Sequence, residues 1–215
     1  MNNVVIVDAV RTPIGKRNGG LSSLHPGETL GLVQKALIER TGIDPAEVEQ
    51  VVGGVVSQAG EQAFNLTRTA WLGAGLPLTT AATTVDTQCG SSQQATGLAA
   101  SLVGSGVVDV AMACGVEAMS RVPIGASGSK KLGLGVPIPP PYFDQYEMTS
   151  QFEGAERIAD KWEITRQDTD AFGLASQQRA IQAWEEDRFA GQYIEVLAPD
   201  VDEEGNPTGD THTVA

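Results

Sequence analysis

Short runs of β-branched residues alternate along this 215-residue chain with longer stretches in which apolar residues recur every three or four positions. A β-branched run predicts a strand, and a repeat of three to four residues predicts an amphipathic helix. The strands predicted in this way lie at residues 4–7, 51–56 (interrupted at Gly53-Gly54), 83–85 and 107–113. We expect the first run and the last two to be buried, because continuous β-branched runs are typical of parallel strands covered on both faces.

Capping residues mark where the predicted helices begin and end. Pro26 and Gly42 bound an amphipathic helix at residues 26–40, and Asp44-Pro45-Ala46-Glu47 predicts a short capped helix. Further helices are predicted at residues 65–73, 90–104, 153–162 and 165–184. The alternation of strands and helices predicts an α/β fold with a mostly parallel sheet and helices on both of its faces.

The pattern changes after residue 120. A proline-rich stretch at residues 137–141 and the helices that follow it indicate an excursion from the sheet. We therefore divide the chain into an α/β core domain at residues 1–120 and a loop excursion at residues 121–215. Residues 200–210 are acidic and rich in turn formers, and we expect no further element between them and Ala215.

Composition and charge limit the classes of partner. The net charge is −13, and the residues from Glu153 onward, with 15 acidic and 5 basic side chains, carry most of it. We expect no nucleic-acid partner, because binding nucleic acid requires a basic face. The two cysteines fit a reducing cytosol better than a disulfide scaffold, and no apolar run is long enough to cross a bilayer. These features predict a cytoplasmic protein without membrane insertion.

Cys89 is the first candidate for chemistry. It follows the predicted strand at residues 83–85, and Gly90-Ser91-Ser92 then open the next predicted helix. A cysteine on such a strand-to-helix turn lies where backbone N–H groups converge and the helix dipole is positive, which favours the thiolate. Cysteine is also among the most buried residue types, so the residues alone leave a core position open.

The stretch Thr84-Val85 with Cys89-Gly90-Ser91-Ser92-Gln93-Gln94-Ala95 resembles the nucleophile motif of the thiolases, the acyl-CoA:acetyl-CoA acyltransferases. Other motifs follow in that family's order and spacing. They are Arg11-Thr12-Pro13-Ile14-Gly15-Lys16, Arg68 before Ala74-Gly75-Leu76-Pro77, Gly115-Val116-Glu117-Ala118-Met119-Ser120-Arg121, Ala155-Glu156-Arg157-Ile158-Ala159, and Ile164-Thr165-Arg166 with Asp170 and Ser176-Gln177-Gln178-Arg179-Ala180. Together they correspond to about the first half of a thiolase.

The resemblance implies a fold, a reaction and an assembly. The family has a layered αβαβα architecture of two similar halves, of which this chain would be one mostly complete N-terminal half without its last strands. Cys89 would be the nucleophile that takes the acyl group as a thioester, in thiolytic cleavage of a 3-oxoacyl-CoA or the reverse condensation. Fatty-acid or sterol side-chain degradation is the implied setting. Coenzyme A would be a substrate, with no cofactor or metal, and the protein a homodimer or tetramer.

Two further groups that thiolases use are missing from the sequence. In the family these are a histidine in a Gly-His-Pro motif and a later cysteine in Cys-x-Gly, and neither motif occurs here. We expect surface positions for His25 and His212, a core position for Cys114 and a hydrogen-bonding role for Glu117. The chain thus carries the nucleophile without its partners, and we expect the isolated 215 residues to be inactive.

Two stretches depart from the family pattern. Ser92 stands where most thiolases have glycine. The change adds a hydroxyl where the nucleophile's helix begins and so affects how tightly that end of the helix packs. Ser150-Gln151-Phe152-Glu153-Gly154-Ala155-Glu156 replaces His-Met-Gly-x-Thr-Ala-Glu, whose histidine lines the pantetheine tunnel, and so indicates a pocket for bulky or branched acyl chains. The motifs at residues 11–13 and 115–120 disfavour a decarboxylating ketosynthase. A non-catalytic or truncated thiolase-like protein that acts as an interaction module stays an alternative.

Overall fold

A parallel sheet organises the first part of the chain, and helices surround it. The computed structural model describes residues 3–128, 133–202 and 204–215. The strands of the described residues are β1 (Gln50–Gly54), β2 (Ala81–Val85), β3 (Ala111–Gly115), β4 (Val196–Val201) and β5 (Pro207–Val214). Their helices are α1 (Pro26–Thr41), α2 (Leu66–Gly73), α3 (Ser91–Gly104), α4 (Tyr142–Gln145), α5 (Gln151–Trp162) and α6 (Arg166–Glu185).

β1 is the central strand of the sheet, with β2 on one side, β3 on the other and both pairings parallel. Gly54 pairs with Val85 on β2 and with Gly115 on β3. The carboxyl ends of the three strands therefore lie side by side, and the segments that follow them leave from one edge. The predicted α/β class with a parallel sheet is confirmed.

The apolar core lies on both faces of β1. Successive side chains of a strand point to opposite faces. On one face Val51 packs with Ile38 of α1 and Trp71 of α2, and on the other Val52 packs with Ala95 of α3. The predicted helices on both faces of the sheet are therefore present. Of α1, α2 and α3, the first two pack on one face and α3 packs on the other.

Gly53 and Gly54 are the last two residues of β1, so they do not interrupt the strand, and Val55-Val56, which were predicted to continue it, lie beyond its end. A Cβ on Gly53 would lie closer than 3.0 Å to Thr67 Oγ1, and a Cβ on Gly54 would lie that close to backbone atoms of Ser91 and Ser92. Glycine in a strand marks such a close approach of another segment. The two glycines thus let α2 and α3 begin directly against β1.

Three of the predicted strands need correction. Residues 4–7 pair with no strand of the described chain, and Ile6 is 81% exposed, because no backbone edge lies alongside this run. β2 covers the predicted residues but is an edge strand, in which Ala81 and Thr83 are exposed and the other three residues half-buried, so it is not the buried strand that was predicted. β3 begins only at Ala111, since Val107 follows a left-handed turn at Gly106 and is 66% exposed.

β4 and β5 form an antiparallel hairpin, which corrects the expectation of no element near residue 215. Val196 and Ala198 of β4 are buried in a small cluster with Leu24. The hairpin belongs to a compact unit of Met1–Ser127 with Gly191–Ala215, while Gly128–Ala190 forms a second unit. The predicted division placed all of residues 121–215 in one excursion. In the structure the second compact unit covers only Gly128–Ala190.

The second unit contains α4, α5 and α6. Ser150 Oγ accepts a hydrogen bond from Glu153 N–H at 3.1 Å, so α5 begins two residues earlier than the predicted start at 153. Thr165 and Asp168 form the predicted capping box at the start of α6. The larger apolar side chains of α6 are exposed among the described residues, Leu174 by 61%.

Candidate active site

Cys89 lies on the turn between β2 and α3, and its side chain is exposed. The preceding residue, Gln88, has a φ of 55°, in the left-handed region that side chains disfavour. Gln88 N–H donates a hydrogen bond to Asp86 Oδ1 at 2.7 Å, and Gly90 N–H donates to Thr87 O at 3.3 Å. The turn thus holds an unfavourable backbone conformation directly before the cysteine.

The first turn of α3 provides the electrostatic surroundings of Cys89. Gly90 is the N-cap residue, and no side chain caps this end of the helix. The first N–H groups of an α-helix have no partner inside the helix and carry the positive end of its dipole. No acidic side chain lies in this first turn to offset that charge. The first turn of α3 therefore suits an anion, while the Asp86 carboxylate lies on the opposite side of Cys89 in the sequence, bonded to Gln88 N–H.

Ser92 lies over the carboxyl end of β3, where the sequence departs from the family's usual glycine. A Cβ on Gly115 would come closer than 3.0 Å to Ser92 Oγ and to Gly54 O. The hydroxyl of Ser92 therefore occupies the space that Gly115 leaves empty. This complementarity shows how the additional hydroxyl is accommodated at the start of α3.

Cys114 has the core position that the sequence predicts. It lies at the end of β3, half-buried and packed against the cluster that contains Val51 and Trp71. Burial raises the pKa of its thiol to about 11, and the hydrogen bond from Gln34 Nε2 to Sγ, at 3.5 Å, acts in the opposite direction. A thiol in this setting is a poor nucleophile, because the thiolate is the reactive form.

Glu117 has the predicted hydrogen-bonding role. Its carboxylate accepts hydrogen bonds from Val56 N–H at 2.8 Å, Ser57 N–H at 3.2 Å and Gln62 Nε2 at 3.1 Å. The fully buried Gln62 side chain in turn accepts a hydrogen bond from Ala118 N–H at 2.8 Å. Glu117 therefore fixes the loop that follows β1, next to the carboxyl edge of the sheet.

Two arginines of the sequence motifs also hold loops in place. Arg121 donates two hydrogen bonds to the carboxylate of Glu61, and the pKa of Glu61 is lowered chiefly by the hydrogen bond from this guanidinium. Arg68 donates to the carbonyl oxygens of Leu78 and Thr80, directly before β2. The Arg68 contacts position β2, the strand that leads to Cys89, whereas the Arg121–Glu61 pair joins the segments that follow β3 and β1.

Neither histidine contacts Cys89 in the described part of the chain. His25 is the N-cap of α1, where Nδ1 accepts a hydrogen bond from Gly27 N–H at 3.0 Å and Glu28 completes a capping box. His212 lies on β5, with Nδ1 2.6 Å from Asp200 Oδ1 and Nε2 3.2 Å from Gly20 O. Both rings are partly buried and structural, which refines the expectation of surface positions.

A cleft of about 910 Å³ opens beside β3, but Cys89 does not line it. Its walls include Arg11, Gln34, Cys114 and Glu117. Gln34 Oε1 is buried there without a hydrogen-bond partner among the described residues. Since the exposed cysteine of the motif lies elsewhere, we place the candidate chemistry at the turn before α3.

Two absences hold for the described residues. No group of three or more histidine, cysteine, aspartate or glutamate side chains in residues 3–128, 133–202 and 204–215 is arranged to hold a metal ion. In the same ranges, none of the helices combines the length and apolar character that spanning a membrane requires.

Comparisons with known proteins agree on one family. The model of the thiolase N-terminal domain matches residues 4–213. The steroid 3-ketoacyl-CoA thiolase FadA6 of Mycobacterium tuberculosis is 39% identical over 202 residues, which cover 91% of this chain and 50% of that protein. The beta-ketoadipyl-CoA thiolase of Pseudomonas aeruginosa is 37% identical over 205 residues, which cover 90% and 51%. The crystal structure of the Bacillus anthracis acetyl-CoA acetyltransferase matches with a TM-score of 0.79 and 33% identity, over 94% of this chain and 53% of that one.

The fold and the motif around Cys89 thus define a thiolase-like α/β protein. The chain belongs to the thiolase family and matches that family's N-terminal domain. It spans about half the length of the curated relatives it matches. The resemblance stated from the motifs and the thiolase-like fold are confirmed, while the role of Cys89 stays a prediction.

The structure adds two features of the site that sequence analysis does not identify. One is the left-handed conformation of Gln88, for which a glutamine gives no signal, because glycine and asparagine are the usual residues there. The other is the buried side chain of Ser91, which is 4% exposed although serine is mostly a surface residue.

Proposed function

We propose that Cys89 is the nucleophile of a thiolase reaction. Its thiolate attacks the 3-oxo carbonyl carbon of a 3-oxoacyl-CoA, the bond to the neighbouring α-carbon breaks, and the acyl chain stays on Sγ as a thioester. The acetyl-CoA carbanion that leaves takes up a proton from a general acid. Free CoA then gives its thiol proton to a base, its sulfur attacks the thioester, and the shortened acyl-CoA leaves while the Cys89 thiolate is restored. The reverse sequence is a condensation.

One observation carries this proposal. Cys89 is exposed on a backbone-strained turn at the start of α3, and no acidic side chain lies in that helix's first turn. Strained backbone of this kind clusters at functional sites. The thiolate is the form that attacks, and the exposed position leaves Sγ open to an acyl-CoA. Cys114 is the other cysteine, and its raised pKa and burial make it a poor substitute.

We also propose that these 215 residues do not complete the catalytic cycle alone. Proton transfer at the α-carbon needs a base, and His25 and His212 are hydrogen-bonded in structural positions. General acid–base catalysis contributes about 10²–10⁴-fold and one oxyanion donor about 10²–10³-fold. Without both, turnover is expected to be about 10⁴-fold or more below that of a complete enzyme.

A thiolysis assay tests this division of labour. The purified chain is given a 3-oxoacyl-CoA and free CoA, beside Cys89→Ala as the control for background cleavage. We expect no turnover above that control. Clear turnover by the chain, abolished in Cys89→Ala, would contradict the division and require a base among its own side chains, with His25 and His212 as the first to replace.

The structural positions of both histidines also support a second candidate function. In it the chain is a non-catalytic thiolase-like protein that serves as an interaction module. The two functions differ in their use of Cys89, because an interaction module needs no acyl transfer to that thiol. An acyl adduct on Cys89 would therefore rule this alternative out.

Substrate, assembly and location complete the proposal. We propose acyl-CoA and CoA as substrates, no cofactor or metal, and a setting in fatty-acid or sterol side-chain degradation in the cytoplasm. The sequence at residues 150–156 supports a bulky or branched acyl chain, because Ser150 stands where common thiolases have the histidine that lines the pantetheine tunnel. In this structure Ser150 caps α5. The open edge of β2 supports a homodimer or tetramer, because exposed strand edges are usually paired or covered. Sedimentation that shows only monomer at micromolar concentration would contradict this assembly.

A further inference from the structure

The side chain of Ser91 bridges the two peptide groups that precede Cys89. Its Oγ accepts a hydrogen bond from Thr87 N–H at 3.0 Å and donates one to Gln88 O at 2.6 Å. The residue is only 4% exposed, so water does not replace these bonds easily. One hydroxyl thereby fixes both sides of the left-handed residue Gln88.

The backbone of Ser91 is itself held in place. Ser91 N–H donates a second hydrogen bond to Gln88 O at 3.0 Å. On the sheet side, the backbone of Ser91 lies so close to β1 that only glycine fits at position 54. The hydroxyl therefore cannot follow the turn if the turn relaxes, and it acts as a fixed point for the peptide groups of Thr87 and Gln88.

We propose that Ser91 is the positioning residue of the nucleophile. Its hydroxyl holds Gln88 in the left-handed conformation, which directs Cys89 toward the first-turn N–H groups of α3. Without the hydroxyl, Gln88 returns to the negative φ that side chains prefer, and the thiol turns away from those groups. The inference rests on the proposed function in that the thiol so positioned is the acyl acceptor.

The rate of alkylation of Cys89 by iodoacetamide at fixed pH tests the proposal. We expect Ser91→Ala to slow it about 5- to 30-fold, the range that the cost of a left-handed residue implies. Because glycine adopts the left-handed conformation without steric cost, adding Gln88→Gly to Ser91→Ala is expected to restore the rate to within about twofold. The matched control is Ser101→Ala, an exposed serine of α3 whose hydroxyl bonds only Gly97 O in the described chain, at 2.7 Å.

Two results would overturn the proposal. One is a folded Ser91→Ala that alkylates within twofold of the unmodified chain, and the other is a slow rate that Gln88→Gly does not restore. If Ser91→Ala does not fold, amide hydrogen exchange in the unmodified chain tests the role of Ser91 instead. The proposal predicts that the Thr87 amide is protected together with the amides of α3. Exchange of that amide at the free-peptide rate would contradict the role of Ser91. A chain that alkylates readily but takes no acyl group from acyl-CoA would refute the proposed function alone.

Discussion

Replacing Gly54 by alanine is expected to disturb the candidate site more than the small size of the change suggests. The added Cβ would fall closer than 3.0 Å to the backbone of Ser91 and Ser92, at the point where α3 begins. Backbone cannot rotate out of the way as a flexible side chain can. Either β1 or the first turn of α3 must shift, and Cys89 lies directly before that turn.

The magnitude follows from the cost of overpacking. Inserting one carbon into a packed interior costs typically about 1–3 kcal/mol, and we expect about 3 kcal/mol here because the obstacle is backbone. For a chain of this size each kcal/mol lowers the melting temperature by about 2–4 °C, which predicts a decrease of roughly 6–12 °C. We further expect slower alkylation of Cys89, since the turn that presents it is displaced.

Gly97→Ala is the matched control. Gly97 lies in the same helix, and a Cβ there would meet nothing within 4 Å. The same chemical change should therefore stabilise the protein by about 0.5–1 kcal/mol, through the gain in helix propensity. Thermal and urea unfolding of the two variants measure the difference. The close approach of α3 to β1 would be refuted if Gly54→Ala unfolded within 1 kcal/mol of the unmodified chain.

Three further predictions concern the surroundings of the site. At pH 8 the pKa of about 11 at Cys114 leaves roughly 10²-fold less thiolate than an ordinary thiol has. Brief iodoacetamide treatment and peptide mapping should therefore label Cys89 first, and equal labelling of the two would contradict the assignment. Gly115→Ala should destabilise the protein, because the added Cβ would meet Ser92 Oγ. Adding Ser92→Gly removes that hydroxyl and should recover part of the loss. Full additivity of the two changes in unfolding free energy would count against this contact. The pKa of Glu61 is lowered by Arg121, so the stability that this carboxylate contributes is present above its ordinary pKa and is lost as the pH falls through the lowered one. In Glu61→Gln, the free energy of unfolding measured against pH should therefore fall less steeply on the acid side. Glu39→Gln, which changes an exposed glutamate on α1, is the control and should leave this pH dependence unchanged. Equal pH dependence for Glu61→Gln and the unmodified chain would argue against the pairing of Glu61 with Arg121.

Sequence patterns predict the elements whose signals are local. Pro26 and Gly42 bound α1, and Thr165 with Asp168 caps α6, because capping depends on a few neighbouring residues. The position of Cys89 between a strand and a helix follows in the same way. The motif residues then identify the family, which no periodicity could do.

The features that sequence analysis misplaced depend on partners distant in the chain. Whether residues 4–7 pair in a sheet depends on whether another strand lies beside them. The β-branched run itself does not indicate whether such a partner exists. The glycines of β1 read as a break, although they lie in a strand against which two helices begin. The hairpin of β4 and β5 was obscured by acidic and turn-forming residues, and its buried side chains face a cluster around Leu24, more than 170 residues away.

The most direct test of the central claim is covalent capture on Cys89. The chain is incubated with an acyl-CoA, and its intact mass and peptides are measured beside Cys89→Ser and Cys114→Ser. We predict one acyl group per chain, mapped to the peptide that contains Cys89, absent in Cys89→Ser and retained in Cys114→Ser. An adduct that maps to Cys114, or none at all on a folded chain whose Cys89 alkylates readily, would contradict the assignment of Cys89 as the acyl-accepting nucleophile.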